Sequence, residues 1–279
     1  VSEEEELLEL AVEAARMAGA LLLERTEAGA EHEVDSKSTP TDLVSEADLA
    51  SQRALRELLA ERRPHDGFVG EEEGRSEPGS SGLQWVVDPL DGTVNFLFGI
   101  PQWCVSVAVR DERGTVAGAI YDPNREELFS ATREGAARIL SARGTSELGA
   151  AAAAGTRATG ESARAGGAEL ASAMIATGLA YDSEVRRAQG RVLERLVPRV
   201  RDIRRFGSAA LDLAWTAAGR FDAYYERTVK EWDIAAGVLV CERAGLQVHE
   251  LPVHENLPWG IMVAPPALAP ALLELVAGP

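Results

Sequence analysis

The chain has 279 residues, 46% of them hydrophobic, and a formal charge of −17, which is enough apolar material for one large or two modest domains with full cores. So acidic a balance argues against nucleic acid or an anionic membrane as a general partner, because phosphate surfaces attract basic faces. No apolar run reaches the roughly 18 residues of a membrane span and no basic-then-apolar leader opens the chain, so no membrane partner and a cytoplasmic location are expected.

Apolar positions at helical spacing over 5–28, including Leu7, Leu10, Ala14, Met17 and Leu21, predict a long amphipathic helix. The acidic run Glu3 to Glu6 suits a helix N-terminus. Ser45-Glu46-Ala47-Asp48 has the form of a capping box, and Leu49 to Arg62 continues as a second helix ended by Pro64. Phe68 to Gly74 is a short apolar run opening into an acidic turn. Compact apolar runs at 84–88, 103–110, 115–122 and 127–131, separated by Gly, Asp and Pro, predict strands of one sheet. Residues 142–167 are rich in Ala, Gly, Ser and Thr and offer little to bury, so a loop, an excursion or a weakly specified helix is expected there. Beyond it, strands at 172–177, 201–206, 221–225, 246–250 and 260–263 alternate with helices at 184–197, 208–219, 231–244 and 266–277. This pattern implies layered α/β architecture, split into halves 1–142 and 143–279. Cys104 and Cys241 lie in apolar runs and are expected as buried free thiols, and the four histidines show no ligand spacing and are expected at the surface.

The run Trp85-Val86-Val87-Asp88-Pro89-Leu90-Asp91-Gly92-Thr93 carries the chemistry. Mg²⁺ wants hard oxygen ligands and commonly bridges carboxylates to substrate phosphate. Asp88 and Asp91 supply two ligands, and the Leu90 carbonyl between them can supply a third. Gly92 allows close approach, and Thr93 onward can begin a helix whose free N–H groups face an anion. Alone, D-x-x-D-G is common in ordinary turns. Two further stretches alter that balance: Phe68-Val69-Gly70-Glu71-Glu72 upstream and Glu231-Trp232-Asp233-Ile234-Ala235-Ala236-Gly237 downstream.

With G-E-E, D-P-L-D-G-T-x-N-F and W-D-x-A-A-G in this order, the chain from about Glu33 to Gly245 resembles the inositol monophosphatase family, within the superfamily that includes fructose-1,6-bisphosphatases and nucleotide-3′-phosphate phosphatases. The resemblance implies stacked helix and sheet layers with the active site between the halves, two or three Mg²⁺ ions, sensitivity to lithium, and a homodimer. Carried over position by position, it implies Glu71, Asp88, Leu90 (through its carbonyl), Asp91 and Asp233 as metal ligands. Glu72 would lie close by and Glu73 in solvent. It implies Glu71 and Thr93 as the pair orienting a water, with Asp48 accepting the Thr93 proton or serving only its helix cap. Lys37 would sit near phosphate or a third metal. Asp91, Gly92, Thr93, Gly207, Ser208, Ala209, Glu226 and Asp233 would contact substrate, with Ser208 alternatively serving only as a helix N-cap, and Tyr224 and Tyr225 would belong to the core. The glycine-bearing turn that family members carry after the strand ending near Leu140 is replaced by Ser141-Ala142-Arg143-Gly144.

The implied reaction is hydrolysis of a phosphate monoester by metal-activated water, with inositol 1-phosphate favoured by Ala223-Tyr224-Tyr225-Glu226. Histidinol phosphate, fructose 1,6-bisphosphate and 3′-phosphoadenosine 5′-phosphate are the alternatives; the last two need extra basic contacts, for which Arg204, Arg205 and Lys230 are candidates. A different class of function, a macromolecule-binding protein that retains a phosphatase site, is the competing reading.

Overall fold

The computed structural model describes residues 2–27, 34–36, 43–72, 76–149 and 169–278, with backbone alone at 27, 34–36 and 43–45. Lys37, Asp42 and Glu73 lie outside the described residues, as does 150–168. The first part contains α1 (Glu3–Glu27), a two-stranded pair β1 (Val34–Ser36) and β2 (Leu43–Ser45), and α2 (Glu46–Arg62). It continues with β3 (Gly67–Gly70), β4 (Ser76–Glu77), β5 (Gln84–Asp91), α3 (Thr93–Leu97), β6 (Cys104–Asp111), β7 (Gly114–Asp122) and β8 (Glu127–Thr132), then β9 (Arg138–Ser141) and β10 (Gly144–Glu147). The second part has β11 (Met174–Thr177), α4 (Ser183–Leu196), β12 (Asp202–Arg204), α5 (Ala209–Ala217), β13 (Ala223–Arg227), α6 (Glu231–Arg243), β14 (Gln247–Leu251), β15 (Gly260–Ala264) and α7 (Ala269–Val276).

One sheet has the order β10-β9-β8-β7-β6-β5-β3-β4 and is antiparallel except where β3 runs parallel to β5; the other has the order β12-β11-β13-β15-β14. Strand alternation sorts side chains onto the two faces of the first sheet. Trp85, Val87, Val105 and Val107 join α1 and α2 in one core, while Val86, Cys104 and Ala108 join α5 and α6 in another. That middle core also takes Tyr224, Ile261 and Val263 from the second sheet, whose opposite face packs Ile175, Ala223 and Met262 against α4 and α7. The result is five alternating layers, helix–sheet–helix–sheet–helix, as expected from the pattern of elements. Each large side chain fully buried in these layers contributes about 1.5–3 kcal/mol.

Three expectations change. The strand expected at 84–88 runs on to Asp91. The start of the segment 142–167, expected as a loop, an excursion or a weakly specified helix, turns at Gly144 (φ 95°) and returns as β10 paired with β9. A division at 142/143 therefore passes through the turn of a hairpin whose two strands belong to the first sheet. His249 is half-buried rather than at the surface. Cys104 and Cys241 are buried and free, as expected.

Arg227 shows how the second half is tied together. Its buried guanidinium donates to the carbonyls of Pro252 (2.9 Å), Pro258 (2.7 Å) and Ala277 (2.7 Å), joining β13 to the strand-linking loop and the end of α7.

Candidate active site

A cavity of about 340 Å³ opens where the C-terminal ends of β3 and β5 meet the N-terminal ends of α5 and α6. Glu71, Asp88, Leu90, Asp91, Gly92, Thr93 and Asp233 line one side; Gly207, Ala209 and Glu226 lie among the residues that close it.

The spacing of Asp88 and Asp91 is resolved by an irregularity in β5. Side chains three apart on a regular strand face opposite sides of the sheet. Here Asp88 pairs with Ser106 and Asp91 with Cys104, so three steps on β5 match two on β6. The extra residue is a bulge at Pro89-Leu90, a place where a strand tolerates proline. Leu90 consequently turns into the helix-side core with Trp85 and Val87, and Asp91 returns to the cavity side with Asp88. Glu71 arrives by register: β3 pairs in parallel with β5, Gly70 opposite Val87, and Glu71 N–H donates to the Val87 carbonyl at 3.2 Å. The 17 residues separating Glu71 from Asp88 are this register read along the chain.

One face of α2 holds the corner in place. Asp48, Ser51 and Gln52 fall at i, i+3 and i+4, one helical stripe, and all three are buried. Thr93 Oγ1 lies 2.8 Å from Asp48 Oδ1 and 3.1 Å from the Leu90 carbonyl. Ser51 Oγ donates to the Pro89 carbonyl at 2.8 Å. The Gln52 amide pairs with the Glu72 backbone, accepting its N–H at 2.8 Å and donating to its carbonyl at 2.5 Å. Bulge, acidic turn and threonine hydroxyl are thus fixed by one helix.

The second half meets this corner through α5. Ser208 Oγ donates to Asp91 Oδ2 at 2.6 Å, Ala210 N–H to the same oxygen at 2.8 Å, and Ala209 N–H to Oδ1 at 3.2 Å. A carboxylate at a helix N-terminus is stabilised by the helix dipole, by up to about 2 kcal/mol where partly buried. Asn95 adds a second tie, its Nδ2 donating to the carbonyls of Gln102 and Phe206, both at 2.7 Å.

Charge accumulates in the cavity. Burial pushes the Asp91 carboxyl up to about 6 against the pull of its Ser208 and Ala210 hydrogen bonds, and the charge of Glu71 adds to the rise. Asp233 is held well above the usual carboxylate range by burial, then by Glu71 and Asp91. Glu226, half-buried, is pushed up to about 7, chiefly by burial, although Tyr224 donates to its Oε2 at 2.9 Å. Behind it, Asp212 is 1% exposed with neither oxygen hydrogen-bonded among the described residues, and burial holds it well above the usual range. Carboxylates clustered and buried in this way repel one another when ionised, a repulsion that a bound cation would offset. Among the described residues no three His, Cys, Asp or Glu side chains stand close enough together to hold a metal ion.

The sequence model of the inositol monophosphatase family matches residues 3–276. The chain belongs to the inositol monophosphatase family. An inositol-1-monophosphatase of Mycobacterium bovis is 40% identical over 245 residues, covering 86% of this chain and 80% of the relative. The Escherichia coli K12 protein named Nus factor SuhB is 34% identical over 270 residues, covering 96% and 94%. Among solved structures, Mycobacterium tuberculosis SuhB shares 35% identity with a TM-score of 0.77, covering 99% of this chain and 97% of its own. The extragenic suppressor protein suhB of Bartonella henselae shares 31% with a TM-score of 0.82, covering 97% and 98%.

Within this inositol monophosphatase fold most of the described residues expected at the site line the cavity; Asp48 stands behind Thr93. Of the two places open to Ser208, the structure shows the N-cap of α5: it is 1% exposed, does not line the cavity, and its hydroxyl donates to Asp91. Tyr224 is core, as expected, but its hydroxyl also reaches Glu226. Arg204 is paired with Asp202 at 2.5 Å and stands outside the cavity, whereas Arg205 and Lys230 line it. Ser51, Gln52 and Asn95 were not anticipated as parts of the site. The i, i+3, i+4 polar stripe inside an otherwise apolar helix face was the available signal for the first two; the invitation for Asn95 was its place in D-P-L-D-G-T-x-N-F.

Proposed function

We propose that the chain is a Mg²⁺-dependent phosphate monoester hydrolase, with inositol 1-phosphate as substrate and myo-inositol and phosphate as products. The observation that carries this reading is the convergence of Glu71, Asp88, Asp91, Asp233 and the Leu90 carbonyl on one cavity beside Thr93, in a member of this family. The donor set is entirely oxygen, which fits Mg²⁺, and the upward-shifted pKa of Asp91 and of Asp233 fits a site in which two or three cations offset carboxylate repulsion. When bound, Mg²⁺ supplies Lewis acidity toward phosphate and lowers the pKa of a coordinated water.

The remaining work falls to the chain itself. Glu71 and Thr93 orient the attacking water, and Asp48, by accepting the Thr93 proton, turns the hydroxyl's lone pairs toward the cavity. The N-terminus of α5 fixes Asp91, and Gly92, Gly207 and Ala209 bring backbone close to the substrate. Glu226 accepts hydrogen bonds from the leaving polyol. Water attacks phosphorus in line, with inversion and no covalent phosphoenzyme, so a trapped phosphoaspartate would contradict the mechanism. A homodimer and inhibition by lithium accompany this reading; sedimentation and lithium titration of activity test them.

Phosphate release from inositol 1-phosphate, histidinol phosphate, fructose 1,6-bisphosphate and 3′-phosphoadenosine 5′-phosphate, with Mg²⁺ or with chelator, tests the substrate. Preferred, Mg²⁺-dependent turnover of inositol 1-phosphate is expected; preference for another member reassigns the leaving group. Relatives named Nus factor SuhB favour a second reading, in which the protein also binds a macromolecular partner. A partner retained by Asp91→Asn and lost on mutation of a surface patch would support it.

A further inference from the structure

Arg205 is a cation in the cavity wall with no hydrogen bond or ion pair among the described residues. Its neighbour Arg204 is engaged by Asp202, so the two adjacent arginines have different employment. The Arg205 guanidinium lies over Gly207, and its seat requires that glycine: a Cβ there would stand 2.5 Å from Nη1, and Gly207 has φ 82°. Asn95 Nδ2 flanks the same spot, 3.3 Å from where that Cβ would be. Across the wall, Glu226 occupies space cleared by a second glycine, since a Cβ on Gly178 would overlap its carboxylate. Tyr224 takes Oε2 of Glu226 and leaves Oε1 without a partner among the described residues. The charges of Arg205 and Glu226 influence each other without an ion pair, so both remain available to a ligand.

We propose that Arg205 is a specificity-determining residue that donates its guanidinium fork to a hydroxyl of the leaving polyol, beside the hydroxyl whose proton Glu226 accepts. A planar donor fork next to a carboxylate acceptor matches neighbouring hydroxyls, each of which both donates and accepts. The pair carries no net charge when Glu226 is ionised, which suits a neutral polyol better than a second phosphate. The inference rests on the phosphatase reading and deepens it: the substrate is a monophosphate on a ring or chain with adjacent free hydroxyls.

The test compares inositol 1-phosphate with cyclohexyl phosphate, which keeps the ring and lacks the hydroxyls, in wild type, Arg205→Met and Arg205→Lys, with Mg²⁺ present. Hydrogen bonds to charged groups discriminate by about 10-fold or more. Arg205→Met is therefore expected to lower the ratio of kcat/KM for inositol 1-phosphate over cyclohexyl phosphate about 10-fold, mainly through KM. Arg205→Lys keeps the charge without the fork and is expected to remain impaired. Equal losses on both substrates, or full recovery in Arg205→Lys, overturn the inference while leaving the phosphatase reading intact. A loss at least as large on fructose 1,6-bisphosphate as on inositol 1-phosphate also overturns it, in favour of an anion site. No hydrolysis of any of the three by wild type overturns the inference together with the inositol 1-phosphate assignment, and no hydrolysis of histidinol phosphate or 3′-phosphoadenosine 5′-phosphate either overturns the phosphatase reading as well.

Discussion

The two walls of the cavity are built in opposite ways. The acidic corner is overdetermined: a bulged strand, a parallel register and three buried polar side chains of α2 hold Asp88, Asp91, Glu71 and Thr93, and α5 adds three donors to Asp91. The wall around Glu226 and Arg205 has few hydrogen bonds among the described residues, with one hydroxyl on Glu226, none on Arg205, and none on Asp212 behind. On the proposed reading, rigidity lies where charge must be placed to a fraction of an ångström, and unspent hydrogen-bonding capacity lies where a leaving group would be recognised.

The sharpest break in this contrast comes from α2. Gln52→Ala leaves the Glu72 backbone N–H and carbonyl without the amide that joins them. Losses of this kind behind a metal ligand cost about 10- to 100-fold. The fall is expected in kcat, with weaker Mg²⁺ activation and little change in KM for substrate, as read by steady-state kinetics at several Mg²⁺ concentrations. On the opposite wall, Glu226→Gln preserves an acceptor for Tyr224 but weakens the hold on a hydroxyl, so KM is expected to rise about 10-fold while Mg²⁺ activation is unchanged. If the two variants affect the same kinetic constant, the division of labour between the walls fails.

Much of the corner was legible because its signals are local. Asp88, Asp91 and Thr93 fall within one short run, and their chemistry follows from residue type. What the sequence alone did not disclose was how two carboxylates three apart reach one side of a sheet, because a bulge is a property of the pairing between β5 and β6. Ser208 illustrates the converse: an N-cap serine is recognisable, but whether its hydroxyl meets substrate or Asp91 is decided by a contact 117 residues away. The layered fold was readable from alternating helices and strands, whereas the β9–β10 hairpin hid in a composition with little to bury, ending in the wholly exposed strand Gly144–Glu147.

Smaller effects test the electrostatics. Asp91 and Glu226 have values of about 6 and about 7 in the fold against ordinary values of 3.8 and 4.5. The metal-free fold therefore binds more protons than the unfolded chain between about pH 4 and pH 7, and these groups subtract stability as pH rises through that window. Mg²⁺ offsets the ionised carboxylates, so the rise in Tm on adding Mg²⁺ is expected to grow from pH 5 to pH 8; a constant or shrinking rise would show that the carboxylates are not what the cation meets. The smallest effect is expected at Asp212. Burial holds its carboxyl well above the usual carboxylate range, so Asp212→Asn, which keeps the shape and removes the ionisable proton, is expected to change stability by under about 1 kcal/mol in urea unfolding at pH 7. A loss several times larger would mean that the buried group carries charge.

The most direct measurement is phosphate release from inositol 1-phosphate across a Mg²⁺ titration, in wild type and in Asp233→Asn, with folding of both confirmed by circular dichroism. Saturable activation in wild type, abolished by chelator, and a rate lower by on the order of 10³-fold in the variant at every Mg²⁺ concentration are predicted. Equal rates with Mg²⁺ and with chelator, or a variant as fast as wild type, would contradict a cation-dependent hydrolase built on these carboxylates.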